Sequence, residues 1–215
     1  MNKAIFFDLD GTLTDSGEGI INCAAMTLER FGLPVPSRQE MGVFVGPPLD
    51  KTFVDFGIPA DRTDEAIEIF RSRYLTVGKF ENFPYPGIPE LLKELKNAGH
   101  RLFVATSKPE ETALEVLEHF HMTRYFEQIC GATMDSSRVR KEDVIAYLLT
   151  QVDGVENTVM VGDTKYHVIG ASHHGIPTIG VAWGYGKVQE MADAGAIAIA
   201  GTVEELKALL TEFSL

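Results

Sequence analysis

Cysteine is scarce in this sequence: Cys23 and Cys130 are the only two among 215 residues. Two thiols make no disulfide framework, and a reducing, cytoplasmic setting fits them best. Each reads as a small buried hydrophobe rather than a nucleophile. Long apolar runs are missing as well. The longest, such as Ile5-Phe6-Phe7 and Val159-Met160-Val161, are far too short to span a bilayer. Asp8 and Asp10 interrupt the first of them, which argues against a secretory signal. Positive charge is also short: 19 Lys and Arg stand against 31 Asp and Glu, a net charge of −12. Such a surface repels a phosphate backbone, so neither a nucleic acid nor a membrane is expected as a partner. Any anionic ligand needs local cations or a metal to reverse the sign at its site. Repeats and low-complexity segments are absent too.

What is present is a globular composition, 45% hydrophobic, with enough chain for one sizeable core and a smaller inserted module. Lys3–Phe7 reads as a buried strand running into the polar loop Asp8-Leu9-Asp10-Gly11. Ser16 is placed to cap a helix through about Arg30, with Ile20, Cys23, Ala24, Thr27 and Leu28 on one face. Gly32, Pro34 and Pro36 stop it. Residues 37–78 look wholly helical, opening on the capping-box pair Ser37 and Glu40. After Pro86-Gly87 the pattern becomes alternating. Helices at 88–97, 109–121, 141–150 and 166–174 intervene between strands at 101–105, 126–130, 158–161 and 178–181. Alternation of this kind implies βαβ units and a parallel sheet. The expected fold is therefore a Rossmann-like α/β core, residues 1–15 and 85–215, interrupted by an all-helical cap over 16–84.

Ligands of open parallel sheets sit beyond the carboxyl ends of the strands. Four strand ends carry polar residues there: Asp8 and Asp10, Thr106-Ser107-Lys108, Gly162-Asp163, and the loop from Trp183 to Lys187. Lys141, opening a helix, can reach the same rim. This set suits phosphoryl transfer. A carboxylate attacking phosphorus needs its own charge and the phosphate's offset, so a hard divalent cation is expected, with Asp8 and Asp163 as oxygen ligands. Asp10, two residues on, can protonate the leaving oxygen and later deprotonate water. Thr106 and Lys141 fit the remaining phosphoryl oxygens. Gly11 lets the loop turn tightly.

These motifs resemble those of haloacid dehalogenase superfamily phosphatases with a helical cap inserted after the first motif, and most closely the phosphoglycolate phosphatase-like group. The motifs are Asp8-Leu9-Asp10-Gly11-Thr12-Leu13-Thr14-Asp15-Ser16, Val104-Ala105-Thr106-Ser107-Lys108-Pro109, Lys141, and Val161-Gly162-Asp163-Thr164. The resemblance implies Asp8 as nucleophile and Asp10 as general acid/base. It implies Thr106, Ser107 and Lys141 as phosphate binders, and Mg²⁺ held by Asp8, Asp10 (through its carbonyl) and Asp163. It implies a small phosphorylated metabolite as substrate, 2-phosphoglycolate first, with nucleoside 5′-monophosphates or pyrophosphate close behind. Relatives carry a second aspartate four residues after the position of Asp163. Here that residue is His167, so weakened metal binding is expected.

Several readings stay open on the sequence alone. The pattern shared by Asp8 and Asp10 also serves a sugar phosphomutase with the same intermediate. His167 is compatible with a weakly catalytic phosphate-binding or regulatory protein. Lys108 and Arg140 are either surface cations or phosphate contacts. Trp183 reads as core or rim packing. The stretch Phe44–Leu49 is either a connector between helices or a loop that closes over substrate. Oligomeric state is not legible.

Overall fold

The computed structural model describes residues 3–135 and 137–212. The chain divides into two compact units, Met1–Thr14 with Pro84–Leu215, and Asp15–Phe83. Each join falls one residue earlier than the sequence pattern suggested. The first strand, β1 (Ala4–Phe7), is buried along its whole length. Two-residue strands mark the joins, β2 (Thr14–Asp15) and β3 (Phe83–Pro84).

Between them the inserted unit is helical: α1 (Gly17–Arg30), α2 (Arg38–Met41), α3 (Leu49–Asp55) and α4 (Thr63–Tyr74). Ser16 does not cap α1. Its φ of −94° and ψ of 3° are not those of a capping residue, and its buried hydroxyl has no hydrogen-bond partner among the described residues. The Asp15 carboxylate accepts the Gly17 N–H instead, at 3.2 Å. The α1 terminus is as expected, with Gly32 at φ 70° and the Leu33 N–H returning to the Leu28 carbonyl. Ser37 and Glu40 do form the reciprocal capping box. Phe44, Phe53, Phe56, Phe70 and Tyr74 form a chain of ring contacts inside this unit. Beside them, Arg73 grips Glu81 with two hydrogen bonds of 2.7 and 2.6 Å.

In the other unit, helices and strands alternate. They are α5 (Ile88–Asn97), β4 (Arg101–Pro109), α6 (Glu110–His119), β5 (Gln128–Ala132), α7 (Lys141–Gln151), β6 (Thr158–Gly162), α8 (Lys165–Ser172), β7 (Thr178–Val181), α9 (Val188–Asp193), β8 (Ala198–Ala200) and α10 (Val203–Glu212). Six strands form one parallel sheet in the order β5-β4-β1-β6-β7-β8. Side chains alternate across it. Ile5 and Phe7 face a core with Leu91, Leu92, Val104 and Val161, while Ala4 and Phe6 face Phe103, Ile145, Leu148 and Met160. Both faces are covered, which is why β1 reads as an unbroken apolar run. Two details depart from the pattern. β4 continues to Pro109, with a register shift between Ala105 and Pro109. Helix α9 has too few apolar residues to announce itself, and buries only Met191.

Candidate active site

The position of β1 between β4 and β6 builds the site. Phe7 pairs with Val104 on one side and Val161 on the other, so the three strands end at one level. Asp8 follows β1, Thr106-Ser107-Lys108 lies at the end of β4, and Asp163 follows β6. The strand order runs outward in both directions from β1, so this is the crevice where doubly wound sheets bind ligands.

Asp8 is buried, and both its carboxylate oxygens are engaged. Lys141 Nζ donates to Oδ1 at 2.7 Å and to the Ala105 carbonyl at 2.8 Å. His167 Nε2 lies 3.2 Å from Oδ2. The Thr164 N–H points at His167 Nδ1, 3.0 Å away, so Nδ1 is the acceptor. These contacts assign the ring proton to Nε2, which donates to Asp8. Burial opposes the charge on Asp8, but Lys141 and His167 outweigh it and hold the carboxyl well below the usual carboxylate range.

Asp163 is equally enclosed. Its Oδ2 accepts the Tyr185 N–H at 2.8 Å, while its buried Oδ1 has no hydrogen-bond partner among the described residues. Glycines make room for it. A Cβ on Gly11 (φ +83°) would fall 2.3 Å from Asp163 Oδ2, one on Gly184 2.4 Å from its Cβ, and one on Gly186 1.9 Å from its carbonyl oxygen. Burial pushes the Asp163 carboxyl upward, and the Asp8 charge adds to this.

The other expected residues are distributed unevenly. Asp10 binds Lys108, whose Nζ lies 2.9 and 3.0 Å from its two carboxylate oxygens. Thr106 is buried, and its hydroxyl accepts the Lys108 N–H at 3.2 Å. Ser107 is half-buried. Arg140 is exposed and paired with Glu142. Trp183 Nε1–H donates to the Thr12 carbonyl and packs on Tyr85 beside the core.

Asp8, Asp163 and His167 present ligand atoms within 4.8 Å of one another. The donor chemistry fits a hard divalent cation: two buried carboxylates lie close together, and Asp163 Oδ1 has no hydrogen-bond partner among the described residues. Asp8 and Asp163 are the residues that would hold it. His167 in this tautomer donates rather than ligates.

Lys108 and His167 are the two residues whose roles the sequence concealed. Lys108 follows Thr106 by two along the same strand rim, yet nothing in the sequence pairs it with Asp10. The spacing Thr164-x-x-His167 is that of a capping box, in which the third helical residue reaches back to the cap N–H. That signal was readable, and it fixes which nitrogen faces Asp8.

Comparison with known proteins gives a consistent family. Residues 5–181 match the model of the haloacid dehalogenase-like hydrolases. A 5′-nucleotidase of Pseudomonas aeruginosa is 41% identical over 189 residues, covering 87% of this chain and 86% of that protein. Tyrosine-protein kinase PtkA of Mycobacterium tuberculosis is 42% identical over 211 residues, covering 97% of this chain and 72% of that protein. The crystal structure of a predicted phosphatase from Clostridium acetobutylicum superposes with a TM-score of 0.94 at 39% identity, over 99% of this chain and 100% of that one.

Proposed function

Since the chain belongs to the haloacid dehalogenase-like hydrolases, we propose that it hydrolyses phosphomonoesters of small metabolites through a phosphoaspartate on Asp8. One observation carries the reading: Asp8 is a buried, ionised carboxylate at the centre of the strand-end crevice, held on one oxygen by Lys141 and on the other by His167. A carboxylate so fixed has lost little of its nucleophilicity to water and has its orientation set in advance.

The chain's own residues take these roles. A carboxylate oxygen of Asp8 bonds to phosphorus as the bond from phosphorus to the ester oxygen breaks. Asp10, two residues along the loop and oriented by Lys108, enters the step protonated and gives that proton to the departing alkoxide. It then takes a proton from the water that splits the acyl phosphate, returning Asp8 as a carboxylate and releasing inorganic phosphate. Thr106, Ser107 and Lys141 hold the non-bridging phosphoryl oxygens. Asp8 and Asp163, with the Asp10 carbonyl, would hold a Mg²⁺ ion, whose positive charge would offset the negative charge of the phosphoryl group.

The substrate is a small phosphorylated metabolite, with 2-phosphoglycolate and nucleoside 5′-monophosphates as the leading candidates. The second of these gains from the name of the Pseudomonas relative. The test is phosphate release by purified protein with Mg²⁺ from a panel containing both, a hexose phosphate, pyrophosphate and ATP. Release from one or more monoesters, lost in Asp8→Asn, is the expected result. Isomerisation of the hexose phosphate without free phosphate points to a mutase. Transfer from ATP to protein tyrosine alone favours the activity named for PtkA. Full hydrolysis by Asp8→Asn overturns the proposal.

A further inference from the structure

His167 faces the carboxylate of Asp8, where an acidic side chain could only accept. The imidazole donates. Three contacts fix it in that role. Its Nδ1 receives the Thr164 N–H at 3.0 Å and meets the Thr164 hydroxyl at 3.1 Å. Its ring lies on the backbone of Gly162, where a Cβ would come within 2.4 Å of Cγ. Its Nε2 is left pointing at Asp8 Oδ2, 3.2 Å away. Both partners are buried, which strengthens a hydrogen bond between them.

We infer that His167 is a positioning residue for the nucleophile: its Nε2–H holds Asp8 Oδ2 and occupies the oxygen that a divalent cation would otherwise share. The inference rests on Asp8 being the nucleophile. Two consequences follow. Asp8 keeps its orientation before any cation arrives, because Lys141 and His167 clamp opposite oxygens. Cation binding is also weaker than a third carboxylate would allow, because one acceptor is spent on His167 and one negative charge is missing.

The two consequences separate the role of His167 from simple packing. His167→Gln keeps an N–H donor, His167→Ala removes it, and His167→Asp replaces it with an acceptor. Calorimetric titration of each protein with MgCl₂, without substrate, reads cation affinity directly. Steady-state kinetics at saturating Mg²⁺ read kcat and KM. The expected result is about 10-fold tighter Mg²⁺ binding in His167→Asp than in wild type. For His167→Ala a fall of about 10-fold in kcat with little change in KM is expected, and His167→Gln should recover most of it.

Equal Mg²⁺ affinity in wild type and His167→Asp overturns the inference. So does a kcat for His167→Ala equal to that of wild type, or a loss that His167→Gln does not restore while circular dichroism shows that both variants are folded. If wild type hydrolyses no monoester at all, the hydrolase reading fails instead, and the calorimetric comparison still reports whether His167 competes with the cation.

Discussion

Lys108 and Asp10 show how much one side chain can carry at this site. The pair is nearly enclosed, with side-chain exposures of 3% and 13%. Removing one partner of a buried ion pair leaves the other charge unanswered, which costs about 3–5 kcal/mol. Lys108→Met is therefore expected to lower the unfolding free energy by about 3 kcal/mol in urea titration. It should also reduce kcat, because Asp10 loses the group that orients it. A variant with wild-type kcat would mean that Asp10 needs no such support. Thr106 offers a contrast. Its hydroxyl already accepts the Lys108 N–H, so it steadies the end of β4 as well as standing ready for phosphate.

At the scale of elements, the crevice depends on glycine. Gly184 and Gly186 bring the loop after β7 against Asp163, closer than any side chain permits. Gly184→Ala would place a methyl 2.3 Å from the Gly11 carbonyl oxygen. It is expected to destabilise the protein by about 1–3 kcal/mol, visible as a lower midpoint of thermal unfolding. The same elements show what the sequence could disclose. The strands β1, β4, β6 and β7 were legible because parallel strands buried on both faces leave short apolar runs bounded by polar rims. Asp8 and Asp163 were legible for the same reason, as carboxylates abutting such runs. The extension of β4 past Ala105 was not, because Ser107-Lys108-Pro109 has no strand character and takes its form from the neighbouring β5. The Ser16 cap failed for a related reason. Residue type alone allows a cap, but the backbone turns at Ser16 and hands that work to Asp15. The pairing of Lys108 with Asp10 spans 98 positions and carries no local signal.

For the whole molecule, charge balance sets the response to acid. Hydrogen bonds from Arg73 hold the Glu81 carboxyl below its ordinary value, and Lys141 and His167 do so for Asp8 against its burial. A depressed carboxyl stabilises the fold above its unfolded value, about 4 for Asp and Glu, and that share is lost as pH falls through the folded value. Asp163, raised by burial, acts with the opposite sign: its penalty at neutral pH is relieved on acidification. The net expectation is a urea midpoint that falls between about pH 5 and pH 3, and falls less steeply in Arg73→Met, where the Glu81 share is gone. An unchanged slope in Arg73→Met would place the acid sensitivity elsewhere. These are properties of a carboxylate-rich molecule that sets two of its buried lysines, Lys108 and Lys141, at its centre, and the phosphoaspartate proposed there can be read chemically. Protein quenched in acid during turnover and reduced with borohydride converts an acyl phosphate on aspartate to homoserine, which peptide mass spectrometry locates. Homoserine at position 8, dependent on substrate, is the predicted result. Steady phosphate release with no reduction product at Asp8, or with the product at another carboxylate, would contradict the account.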